Sequence, residues 1–230
     1  MDVVFQDDKC FINPDIFDKE LKDKVPDEIS KGMKDNVLKQ VKYKQLELSL
    51  LNNCKSIGCN YDSSFKSMGY GDINSNVMVI NTCPNEFEIA TNISMTSPEN
   101  FFLLCILDYC GIKYYRTDIV KCILEYDNHN ACATCINNYL LKEIEIVQPR
   151  LIICNGMNAL NILENYNIIN INKNLCYGEI CQATTCNNIN TNVIALYNSK
   201  MVLNKTGNDY IKCKNELWAQ ARIVKKFLEE

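Results

Sequence analysis

The chain has 230 residues, 47% of them hydrophobic and 23% charged, with a net charge of −4. These totals suit one α/β domain with a short extension and leave enough apolar residues for a sizeable core. They exclude a chain whose whole surface attracts nucleic acid, so any nucleic-acid partner must be held by a local basic patch. Asn, Ile, Lys and Tyr are heavily used, as in a genome poor in G and C; a virus or phage would suit that bias.

Residues 1–35 are charged and punctuated by Pro14 and Pro26, and read as an N-terminal extension. Its first stretch, MDVVFQDDKCF, carries three aspartates and lacks the apolar core of an export signal. No apolar run is long enough to span a membrane, which predicts no membrane partner and an intracellular, reducing compartment. Residues 36–230 are expected to form the main domain. Residues 36–53 place Val37, Val41, Leu46, Leu48 and Leu51 at helical spacing. Four short, almost continuous apolar runs follow, at 77–80, 115–120, 151–154 and 192–197, as buried parallel strands are.

Helical patterns lie between those runs. Ser97 is placed as an N-cap before Pro98 for a helix over 98–110. Further helices are predicted at 136–148, 157–164 and 213–229. The Asn-rich segment 166–191 reads as an irregular region or a hairpin over one edge. Strands alternating with helices predict an α/β/α three-layer sandwich around a mostly parallel four-stranded sheet. In such sheets the site lies outside the carboxyl ends of the strands, here at 81–86, 121–135, 154–157 and 198–204.

The cysteines carry the strongest chemical signal: there are 14 of them, against a single histidine, His129. With one histidine, Ser-His-Asp catalysis requires His129, which is read as a solvated loop residue. In a reducing compartment a cysteine excess points to metal more than to disulfides, although buried cysteine is also a common small core residue. Cys54 and Cys59 follow the first helix, Cys122 ends the second strand, and Cys132 and Cys135 open the next helix. Four thiolates from such segments fit an iron–sulfur cluster; by spacing alone they fit zinc as well.

These motifs in this order resemble the family 4, iron–sulfur uracil-DNA glycosylases over residues 45–229. The pair Cys54 and Cys59 precedes GYGDINSNVMVIN, YYRTDIVKC is similar to the family's second strand, and Cys135 precedes YLLKEIEIVQPRLIICNGMNAL with its glycine turn at Gly156. VIALYNSKMVL resembles the last motif, and Trp218 sits in a similar C-terminal helix. The resemblance implies a [4Fe-4S] cluster on Cys54, Cys59, Cys122 and Cys135, with Cys132 a rival ligand because the Cys135 helix holds one extra residue. It also implies binding of DNA and removal of a damaged base. The family has a carboxylate where Thr82 stands, a histidine where Asn198 stands and an asparagine where Asp118 stands. Thr82, Asn85, Asp118 and Asn198 therefore mark the catalytic positions with altered chemistry, since a threonine is no general base and an asparagine carries no positive charge. The expectation is a protein that binds DNA, or a replication or transcription partner, with weak or lost glycosylase activity. The alternative is an active glycosylase excising uracil or another pyrimidine. Lys200 and Lys205 follow the last motif and are expected to contact DNA phosphates; Lys113, Arg116 and Lys121 are placed on the same face, and Tyr70, Tyr114 and Tyr197 are read as core residues before base-stacking ones.

Overall fold

The computed structural model describes residues 4–6, 9–11, 27–53, 65–91, 93, 96–122 and 129–230. The chain forms two compact units, Met1–Val41 and Lys42–Glu230. In the first, β1 (Val4–Gln6) and β2 (Lys9–Phe11) pair antiparallel. Helix α1 (Asp27–Asn53) begins in this unit and ends in the second. It starts earlier than its apolar spacing indicates.

The second unit is built on a sheet with β3 (Tyr70–Gly71), β4 (Val77–Asn81), β5 (Tyr115–Asp118), β6 (Leu151–Asn155), β7 (Ile169–Ile171), β8 (Ile180–Thr185) and β9 (Asn190–Leu196). The spatial order is β3-β5-β4-β6-β9-β8-β7. The expected four strands are its parallel centre, with Val77 beside Leu151, Asn81 beside Asp118 and Asn155 beside Leu196. The sheet is nevertheless seven-stranded and mixed, which corrects the expected four: β3 adds antiparallel at one edge, and the hairpin β7–β8 adds antiparallel at the other.

Alternate residues of each central strand enter opposite layers, as the period of two requires. Met78, Ile80, Ile152, Cys154, Val193 and Ala195 pack under α4 (His129–Cys135), a π-helical turn (Ile136–Leu140), α5 (Leu141–Val147) and α6 (Met157–Asn165). Val77, Val79, Leu151, Ile153, Ile194 and Leu196 pack against α3 (Pro98–Tyr109) and α8 (Gly207–Glu229). Tyr109 and Trp218 meet edge to face at 5.2 Å between these two helices. The short helices α2 (Glu86–Thr91) and α7 (Ser199–Leu203) follow β4 and β9. Helix α3 starts where the sequence places it, with the Ser97 hydroxyl accepting the Asn100 N–H and Pro98 at the first position.

The π turn directly follows Cys135. A π turn holds one residue more than an α turn. The helix then ends at Gln148, which takes the left-handed conformation before Pro149. No helix among the described residues is long and apolar enough to cross a membrane.

Candidate functional site

The carboxyl ends of β4, β6 and β9 open into a cavity of about 630 Å³. Its wall is formed by the turn after β4 (Asn81, Thr82, Cys83, Pro84, Asn85, Glu86), the start of α3 (Ser97, Glu99, Asn100), Asn155 at the end of β6, Asn158, Asn161 and Ile162 on α6, and Asn198, Ser199 and Lys200 after β9. Thr82, Asn85 and Asn198, which are far apart in the chain, are thereby brought to one wall system. This follows from the parallel order β4-β6-β9, which puts their outgoing loops side by side.

Asn85 is the N-cap of α2. Its Oδ1 accepts the Glu88 N–H at 2.9 Å, and Glu88 Oε2 accepts the Asn85 N–H at 3.0 Å, a reciprocal capping box. Its Nδ2 donates to Glu99 Oε2 at 2.9 Å. Asn198 caps α7: Oδ1 accepts the Met201 N–H at 3.1 Å and Nδ2 donates to the Asn155 carbonyl at 2.9 Å. Gly156 (φ +100°) lets Asn198 approach this closely, since a Cβ there would lie 2.9 Å from the Asn198 Cβ. Asn198 thus commits both ends of its amide to the backbone, whereas Asn85 commits one end to the backbone and the other to Glu99. Thr82 is half-buried, and among the described residues its hydroxyl meets only the Cys83 sulfur, at 3.9 Å.

Asp118 is not on the cavity wall. It is fully buried, with Oδ2 accepting from the Ser67 hydroxyl at 2.8 Å and Oδ1 from Arg116 at 3.0 Å. Arg116 also lies 4.0 Å from Glu88, whose Oε1 accepts from Asn100 Nδ2 at 2.8 Å, and the Asn100 amide meets that of Asn81 at 2.7 Å. A closed polar layer therefore underlies the cavity floor. Arg116 is buried in it, and Lys121 is buried against Glu143 and Thr117, so neither belongs to an exposed basic face. Lys113 lies at the other end of the sheet, beside Asp72 and Lys225. Lys200 and Lys205 are exposed, Lys200 on the cavity wall. Tyr197 packs on Tyr177 at 4.6 Å and Tyr70 is exposed. His129 opens α4 and does not lie in a loop.

Cys54 and Cys59 lie outside the described residues. Cys122, Cys132 and Cys135 are buried in one core cluster. Burial pushes the Cys132 thiol above its ordinary value; a hydrogen bond with Tyr166 opposes the shift and Cys83 adds to it. Cys154, fully enclosed in β6, is pushed up by burial far enough to stay a neutral thiol. Among the described residues no three His, Cys, Asp or Glu side chains converge to hold a metal ion.

Glu88, Glu99, Asn100, Asn158 and Asn161 escaped the sequence reading. Glu88 had a signal, because Asn85-x-x-Glu88 has the spacing of a capping box. Asn158 and Asn161 are one turn apart on the helix that leaves β6, which places both at the cavity mouth.

The model of the uracil DNA glycosylase superfamily matches residues 68–222, well over half of the chain and every residue lining the cavity. No curated protein matches the sequence.

Proposed function

The chain belongs to the uracil DNA glycosylase superfamily, and on that premise we propose that it binds DNA with one nucleotide turned out into the cavity, where glycosidic hydrolysis is slow. One observation carries the reading: the segments 82–85 and 198–200 reach one cavity from the two strands that flank β6. A base stacked in a duplex hides its sugar bond, so a protein acting on it must take it out of the stack. The volume, about 630 Å³, lies in the range of small-ligand sites and accommodates a nucleotide. Amides lining the wall offer donors and acceptors to the edge of a heterocycle. Exposed Lys200 and Lys205 supply local positive charge to phosphates on a chain of net charge −4.

The chemistry is slow because the groups at these positions do not match the charges that develop. Cleaving the sugar–base bond builds positive charge on the sugar and negative charge on the departing base. Thr82 supplies a neutral hydroxyl where an anion is wanted. Asn198 supplies a neutral amide already engaged at both ends. The Asp118 carboxylate is consumed by Ser67 and Arg116.

The same reading includes a [4Fe-4S] cluster on Cys54, Cys59, Cys122 and Cys135, with zinc as the alternative. Its support is the presence of four cysteines at separated points of the chain and the shared burial of Cys122 and Cys135 in one core cluster. Such a cluster ties distant segments together. Protein purified without air is expected to be brown and to contain iron and sulfide, and Cys122→Ser to lose both together with thermal stability. Colourless, zinc-containing protein assigns the alternative.

The functional test is titration of single-stranded and duplex DNA containing one uracil, with abasic sites scored in parallel. Binding that weakens with salt, with abasic sites forming only when protein and DNA are at comparable levels, is expected. Absence of binding at low salt overturns the reading; rapid multiple turnover overturns the slow chemistry.

A further inference from the structure

We propose that Glu99 is the carboxylate that activates water in this cavity, so that the hydrolysis the site performs depends on it. The inference rests on the reading that the cavity accepts a nucleotide. Hydrolysis of a glycosidic bond passes through a cationic sugar and is speeded by a carboxylate near it, as an anion or as a base for water. Thr82 supplies none, and among the described residues four carboxylates lie on or beneath the cavity wall: Asp118, Glu88, Glu86 and Glu99.

Asp118 is fully buried and both its oxygens are taken. Glu88 is fully buried, with one oxygen on the Asn85 N–H and the other on Asn100. Glu86 lies on the wall but is exposed, so water screens its charge. Glu99 differs from all three. It lies on the wall, half-buried, in the first turn of α3, where the helix N-terminus favours an anion. Its Oε2 accepts from Asn85 Nδ2 at 2.9 Å, which fixes the carboxylate, while Oε1 has no donor among the described residues. Asn85 is itself fixed by its capping box with Glu88. The closed layer thus holds a carboxylate at the cavity with one oxygen to spare.

Glu99 takes a proton from a water molecule as the water oxygen bonds to C1′ of the everted nucleotide. The C1′–N bond breaks and its electron pair leaves with the base, which takes a proton from solvent. Glu99 returns its proton to solvent, leaving an abasic site and a free base. Asn85 is a positioning residue in this scheme.

The test uses the full chain in excess over duplex DNA with one uracil, with abasic sites followed by alkaline cleavage in a single turnover. Glu99→Gln keeps an oxygen for Asn85 but cannot take the proton. Its rate is expected to fall about 100-fold or more, with DNA affinity changed by less than about twofold. Glu99→Asp, with a shorter arm and the same chemistry, is expected to retain part of the rate, and the melting temperatures of both variants check that they fold. A Glu99→Gln rate within about threefold of the parent overturns the proposal. Parent protein that binds this DNA but forms no abasic sites overturns it too, and leaves the binding function standing. Failure to bind DNA brings down the reading beneath it as well.

Discussion

The layer beneath the turn after β4 and the cavity wall above it are both polar, and they differ in how much of their bonding capacity is spent. In the layer, Glu88, Arg116 and Asp118 are buried and held by partners from Ser67 to Asn100. On the wall, Thr82 and Glu99 are half-buried and Asn158 and Asn161 exposed, and the Glu99 Oε1 has no donor among the described residues. Buried charge tolerates no loose ends, so the layer specifies shape. Polar groups with capacity left are the ones that can meet a ligand. Asn85 belongs to both regions, since it is bonded to Glu88 below and Glu99 above.

The hardest way to break this comparison is to remove the centre of the layer. Arg116→Met leaves two buried carboxylates without their cation and is expected to cost about 3–5 kcal/mol of stability, read by urea denaturation. A loss under about 1 kcal/mol would mean that the layer does not hold the fold. Asn85→Ala, at the junction, is expected to cost about 1 kcal/mol through the lost cap. It is also expected to slow abasic-site formation because Glu99 loses its tether. A rate equal to that of the parent would separate the two regions.

Smaller effects sharpen the picture at its margins. Lys200→Ala is expected to leave stability unchanged and to reduce the salt slope of DNA binding by about one. Tyr43 donates to the Gly69 carbonyl at 2.7 Å and packs edge-on against Tyr115 in a second enclosed region. Burial raises the Tyr43 phenol from 10.0 to about 12, while its hydrogen bond with Tyr115 opposes that shift. The native chain therefore keeps a proton that the unfolded chain loses above pH 10.0. Stability is expected to be intact below that pH and to fall towards pH 12, by less than about 1.4 kcal/mol per pH unit because the ring is partly solvated. Tyr43→Phe is expected to flatten this decline, which urea midpoints across the window would show; Tyr115, raised in the same direction by burial, contributes the remainder.

The parallel centre of the sheet was legible because buried parallel strands are continuous apolar runs. The hairpin β7–β8 fulfils the edge hairpin that was one of two readings of the Asn-rich segment, but its strands were not legible one by one because their polar, half-buried positions lack a clear period, and β3 has only two residues. The end of the site after β9 was legible from Asn198-Ser199-Lys200. The layer was not, because Arg116 and Lys121 read as surface cations and are buried only through Glu88, Asp118 and Glu143, partners that come mostly from distant parts of the chain. Glu99 looked like an ordinary first-turn glutamate, and only the fold brings it beside Asn85.

The central claim is that a nucleotide leaves the DNA stack and enters the cavity, and fluorescence measures this directly. A 2-aminopurine placed beside a single uracil in a duplex is quenched while stacked and brightens when its neighbour is turned out. Titration with the protein is expected to raise the fluorescence in step with binding. Full binding with the fluorescence unchanged would contradict the account.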